Sequence, residues 1–229
     1  MIFKKKPLKL EAYAPVGDLA EYFPITPTRD SLPPWYNNIP KHDDNTVKNC
    51  MGFRDLMGHG FLIPAWGDFE VKISPNGRAE VETPVIQQGP SFMQHNIARE
   101  APNAWPAYTN VKFNTPWWFY CEEPIKWLVV DPTWHRKDPT QYAIPTGVLE
   151  FRYNNQALVN TLWKTQEREY LTKIRAGDAL LQLIPVTERP VELELKILTE
   201  DIYVAKFAGW AHSFKFGYQK IRAMMDKRK

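Results

Sequence analysis

Residues 8–13, LKLEAY, alternate apolar and polar positions, the pattern of a half-buried strand. A second period-two region begins at 61–66 and 68–73 and turns at Asn76-Gly77 before returning through AEVET, which predicts a hairpin. Further short strands are expected at 108–113, 116–121, 125–130, 147–153, 157–163, 170–175, 179–186 and 191–198, most of them punctuated by Pro or Gly. Helical periodicity occurs in two places. Thr46 is placed to cap a helix from Val47 to Met57, with Val47, Cys50, Phe53 and Met57 on one stripe and Gly58 and Gly60 ending it. At the other end, Phe207, Trp210, Phe214, Tyr218, Ile221 and Met225 form an apolar stripe. Gly209 and Gly217 weaken that helix by roughly 1 kcal/mol each relative to Ala. No long central helix supplies βαβ crossovers. The pattern therefore predicts a mainly β fold: a sandwich, or a cupin-like, barrel-like body. One short helix is expected near 47–57 and an amphipathic helix at the C-terminus.

Composition refines this picture. The 229 residues include nine Trp, ten Tyr and twelve Phe, far too many aromatics for a disordered chain. The segment 24–45 holds Pro24, Pro27, Pro33, Pro34 and Pro40, so 1–45 reads as an extended arm, with Trp35, Tyr36 and Ile39 as its contact residues. The β domain then spans 46–203 and the basic helix 204–229. No run of 18 apolar residues occurs and Lys4, Lys5 and Lys6 precede no apolar stretch, so neither a membrane span nor a secretory leader is expected. Two cysteines, Cys50 and Cys121, suit reduced thiols in a cytoplasm.

Charge is unevenly placed. Residues 206–229 carry seven Lys and Arg against Asp226, a net +6, so with a total of +3 the rest of the chain carries −3. A basic tail on an acidic body suits an acidic partner, either nucleic acid or a neighbouring chain.

Catalytic signatures are sparse. None of His42, His59, His95, His135 and His212 stands at a metal-ligand spacing, and no cofactor is expected. There is no Gly-rich phosphate loop and no G-x-S-x-G nucleophile elbow. Cys50 falls on the apolar stripe of its helix and reads as a buried thiol; Cys121, ending PWWFYC, also reads as core. Between two prolines, DPTWHRKDP offers Asp131, His135 and Arg136 as a ligand loop, against the plainer reading of a surface turn. In PWWFYC, Trp117, Phe119 and Cys121 share one face and Trp118 and Tyr120 the other, so both faces need cover, from the core or from a partner. The stretch YLTKIRAGDALLQLIPV resembles the closing strand of dUTPase-like folds over about a dozen residues; Gln182 is its one polar residue after the turn, and no catalytic residue carries over.

Three pieces read in order extend the resemblance. LPPWYNNIPK (32–41), TVKNCMGFRDLMGHGFLIPAWGDFEV (46–71) and YLTKIRAGDALLQLIPVTER (170–189) resemble an uncharacterised β-rich family of tailed phages, many of them infecting marine bacteria and cyanobacteria. The matching elements are Pro34 to Pro40, Lys48 to Asp55, Gly60 to Pro64 and Asp68 to Val71, within roughly 30–190. The resemblance implies a phage origin and a β-rich fold, and no activity. The basic helix lies outside it.

The expectation is a non-enzymatic virion protein of the capsid, neck or tail, made in the host cytoplasm and then incorporated into the particle. Its partners would be other phage structural proteins or further copies of itself. Nucleic acid is a further partner through the tail, and a membrane is not. The competing expectation is a cupin-like or dUTPase-like enzyme, or a small-ligand protein, acting in the infected cell.

Overall fold

A computed structural model describes residues 6–40, 45–82, 92–95 and 105–208. Its largest sheet is organised by one 13-residue strand, β7 (Tyr108–Tyr120), which joins the two strands expected at 108–113 and 116–121. Pro116 does not break it, because the pairing with β10 (Gln156–Lys164) is irregular there: the register jumps between Gln156 opposite Trp118 and Leu158 opposite Asn114. Thr115 Oγ1 donates to the Ala157 carbonyl (2.8 Å) within this irregularity. On its other edge β7 pairs first with β6 (Phe92–His95) and then with β1 (Leu8–Ala14). β13 (Val191–Ile197) runs parallel to β1 and ends the sheet. Residues expected in an extended arm thus supply an internal strand, since LKLEAY has the period of a sheet and finds neighbours on both sides.

The second sheet has the order β2 (Thr26–Pro27), β3 (Phe61–Pro64), β12 (Ala179–Pro185), β8 (Trp127–Val130), β9 (Gly147–Leu149). The third joins β11 (Tyr170–Ile174), β4 (Phe69–Ile73) and β5 (Ala79–Glu82), with Gly77 at φ +80° in the turn expected at Asn76-Gly77. These two sheets share a corner. β3 runs into β4 and β11 into β12, and both connections bend together. The Ala65 N–H donates to the Asp178 carbonyl (2.8 Å) and the Gly177 N–H to the Ala65 carbonyl (2.8 Å). The Asp68 carboxylate accepts from the Ala176 N–H (2.9 Å) and Arg175 (3.0 Å), which pins the bend. Strands that change sheets at a bend are the usual way for a β body to turn a corner.

Inner faces of all three sheets meet in one core. Leu10, Phe113, Trp117, Phe119 and Trp163 come from the first sheet, Phe61, Ile63, Trp127 and Leu183 from the second, Phe69, Val71 and Ile73 from the third. Phe69 meets Phe113 edge-on at 5.3 Å, and Phe119 stacks on Phe151 at 4.7 Å. The fold is mainly β with a few short helices, as the hydrophobic pattern implied.

The short helices fit around this core. α1 (Gly17–Tyr22) packs against β1 and β13 and buries Leu19. α2 (Pro34–Asn37) begins on Pro34, which suits a first helical position. The helix expected from Val47 is in two pieces: a 3₁₀ turn at Val47–Asn49, then α3 (Met51–Gly58). Cys50 joins them in an extended conformation and is exposed rather than buried, so its place on the apolar stripe is lost. Gln182 is buried, and its amide donates to the carbonyls of Leu56 (3.0 Å) and His59 (3.0 Å), tying the end of α3 to β12. No helix among the described residues is long and apolar enough to cross a membrane.

Candidate functional site

The loop after β8 brings Asp131 and Arg136 together. The Asp131 carboxylate accepts from Arg136 Nη2 (2.6 Å), Thr133 Oγ1 (2.8 Å) and the Ile144 N–H (2.8 Å). The Arg136 side chain, 5% exposed, also donates to the Tyr142 carbonyl (2.8 Å), and its guanidinium lies 4.2 Å from the Tyr142 ring centre. Burial pushes the Tyr142 hydroxyl up to about 12. Asp131 and Arg136 are thus committed to each other and to backbone, closing the loop rather than waiting for a ligand. His135 differs. Burial lowers its pKa, and its Nε2 is buried with no hydrogen-bond partner.

This loop also presents Trp134, which gathers an aromatic group from three distant segments. Trp35 Nε1 donates to the Trp134 carbonyl (2.9 Å). The ring centres of Trp35 and Trp134 lie 6.0 Å apart, Phe53 and Trp134 4.9 Å, and Tyr36 and Phe53 5.8 Å. Lys48 donates to the Ile39 carbonyl (2.6 Å) and lies 5.3 Å from the Tyr36 ring centre, holding the end of α2. Trp35, Tyr36 and Ile39 therefore anchor the proline-rich segment to its own body. Phe53 is buried beneath, while Trp35 is 38% exposed and Trp134 46%. Beside them opens a cleft of about 470 Å³, walled by Tyr22, Phe23, Pro34 and Trp35 and rimmed by His135 and Lys137 opposite Asp178. Aromatic faces with a cationic rim suit contact with another protein's apolar or acidic segment. Sequence reading missed Phe53 and Trp134 as part of this wall. Only tertiary contact unites residues that stand a hundred positions apart.

The C-terminal stripe meets its own sheet. Thr199 caps α4 (Glu200–Tyr203), its hydroxyl accepting from the Ile202 N–H at 3.4 Å, and a π-helical turn follows at Val204–Ala208. Tyr203 and Phe207 pack on Trp118 at 5.3 and 5.2 Å, and Phe207 also meets Tyr13 at 5.6 Å. Phe207, expected on a face that meets a partner, is fully buried within the chain. Trp210, Phe214, Tyr218, Ile221 and Met225 lie outside the described residues, as does most of the basic segment. The cover over Trp118 and Tyr120 therefore comes from the chain itself, with Lys206 at 4.2 Å from the Tyr120 ring centre.

Glu11 stands at the middle of this cover. It accepts from Lys196, Lys206 and the Tyr13 hydroxyl. Burial works against its charge, but those three donors overcome it and hold its pKa down at about 2. Lys196 and Lys206 are shifted upward: burial opposes their charge and Glu11 outweighs it. Cys121 is buried, and burial raises its thiol pKa. His59 Nδ1 contacts the Asp55 carbonyl (2.8 Å); His42 and His212 lie outside the described residues, and His95 is on β6. Among the described residues no three His, Cys, Asp or Glu side chains are grouped to hold a metal.

No protein-family model matches the chain, and no curated protein matches it.

Proposed function

We propose that the protein is a non-enzymatic structural or accessory component of a phage virion that works by binding neighbouring chains. The observation that carries this reading is the Trp35–Trp134 pair, exposed at the mouth of the aromatic cleft and held by rigid elements beneath. Large aromatics on a fixed support give contact area at little entropic cost, which is why interfaces favour them. The titratable groups next to the cleft favour the same reading, because Asp131 and Arg136 are spent on closing their loop. The phage assignment draws on the family resemblance over 30–190. The basic segment after Phe207 adds a charged extension suited to an acidic neighbour or to nucleic acid.

Mass spectrometry of purified virions tests the proposal. The expected result is the protein in fixed stoichiometry with the major particle proteins. Its absence from particles, with abundance in the infected-cell lysate, overturns the structural role and returns the enzyme or small-ligand alternative.

A further inference from the structure

We propose that β13 is a self-association edge, to which β13 of a second copy of this chain adds antiparallel about a twofold axis. β13 ends its sheet, and β1 is its one pairing partner among the described residues. The Leu8 N–H donates to the Pro190 carbonyl and the Leu198 N–H to the Ala14 carbonyl, so even-numbered residues turn their main chain toward β1. Val191, Leu193, Leu195 and Ile197 turn theirs outward. These same residues form the apolar row of the strand. Leu195 is 37% exposed and Ile197 45%. Beneath the row runs a groove of about 740 Å³ that includes Ile25, Pro27, Phe61 and Pro185. A long edge with an apolar face is a template for pairing unless something blunts it.

The occupant is read from the strand itself. VELELKI is nearly palindromic about Glu194: Val191 mirrors Ile197, Leu193 mirrors Leu195, and Glu192 mirrors Lys196 with opposite charge. In the antiparallel register centred on Glu194, each Glu192 faces Lys196 of the partner subunit. Val191 faces the partner's Ile197, and Leu193 the partner's Leu195. All the outward main-chain groups pair, giving about eight hydrogen bonds. Glu192 has no ion-pair partner among the described residues, so this register supplies one. The two Glu194 side chains meet at the axis, but each is already held by its own Lys9 (2.6 Å) and Lys196 (2.9 Å). Shifting two residues one way opposes Glu192 to Glu194; shifting the other way runs Val191 past the end of the strand. The added strand also lays its apolar row over the groove. The contact is isologous and closes as a dimer.

Light scattering on the eluting full-length protein reads the oligomeric state, and the expected mass is about twice the 26.7 kDa of one chain. Leu195→Pro removes an outward N–H while sparing the bonds to β1, and Glu192→Lys opposes two cations. Each is expected to weaken association at least tenfold while far-UV circular dichroism and the melting temperature stay close to the parent. Register is tested with Glu194→Cys in a Cys50→Ser background. Directly opposed residues at a non-hydrogen-bonded site lie about 4.5 Å apart between Cα atoms, within disulfide reach. Rapid crosslinking there, absent from Glu192→Cys, supports the register. A monomeric parent, or variants that dimerise as the parent does, overturns the proposal. The inference stands apart from the virion assignment: a dimer absent from particles keeps this one, and a monomer found in particles keeps the other.

Discussion

The β1–β13 ribbon has two sides, and the chain treats them oppositely. On the outer side, Glu11, Tyr13 and Lys196 are covered within the same chain by Phe207 and Lys206. On the core side, the row from Val191 to Ile197 becomes more exposed toward its end and borders an open groove. The outer side is closed because the next element in sequence, α4 and its π-helical turn, folds straight back over it. The groove side has no such follower, since β13 is the last strand and the helix after it has gone the other way. A sheet surface is satisfied by whatever the connection can reach, and what it cannot reach is left for another chain.

The largest effect is expected where the open side is least forgiving. Gly60, which lines the groove, has φ +79°, and a Cβ there would stand 2.0 Å from the Leu183 carbonyl oxygen. Gly60→Ala should cost more than about 4 kcal/mol in urea unfolding, because backbone must move as well as strain. Gly177, at φ +84° with no atom near its missing Cβ, is the control: alanine there should cost only about 1–2 kcal/mol. A mild Gly60→Ala would show the groove floor to be pliable and blur the contrast between the two sides.

On the closed side, Phe207→Ala should cost about 3–4 kcal/mol and expose the segment after Ile197 to protease, while Phe207→Leu keeps most of the stability. An unchanged midpoint would mean that the cover is not held by its aromatic anchor. Acid should loosen the same cover. The Glu11 pKa is about 2 in the folded chain against an ordinary 4.5, so its contribution is complete above about 4.5 and lost as pH falls toward 2. Lys196 and Lys206 are about one-third exposed, and screening reduces the effect to about 1–2 kcal/mol. Glu11→Gln should flatten that stretch of the stability–pH curve, which titrated thermal melts would show. The smallest effect belongs to the open edge: Leu195→Ala should change stability by less than about 1 kcal/mol, yet weaken self-association measured by sedimentation.

Much of the fold was legible in the chain. Period-two runs located β4, β7, β10, β12 and β13 to within a few residues, because alternation reports a face that must be buried. Cys50 was misplaced because a stripe assumes unbroken helix, and here the backbone leaves helical geometry at that residue. Asp131 and Arg136 were legible as a polar pair in one loop, but not their role. Whether a charged pair greets a ligand or closes a loop depends on which backbone groups face it. For the same reason, Trp134 gave no local sign that it would meet Trp35 and Phe53.

By itself, the sequence determined the mainly β body, the apolar stripe that begins at Phe207 and the mirrored VELELKI strand, since period, charge and spacing are properties of neighbours along the chain. Tertiary structure decided that Phe207 is spent on the protein's own sheet and that β13 ends that sheet. Burial is settled by which surfaces meet after the chain has folded, and no local pattern records where a connection will return.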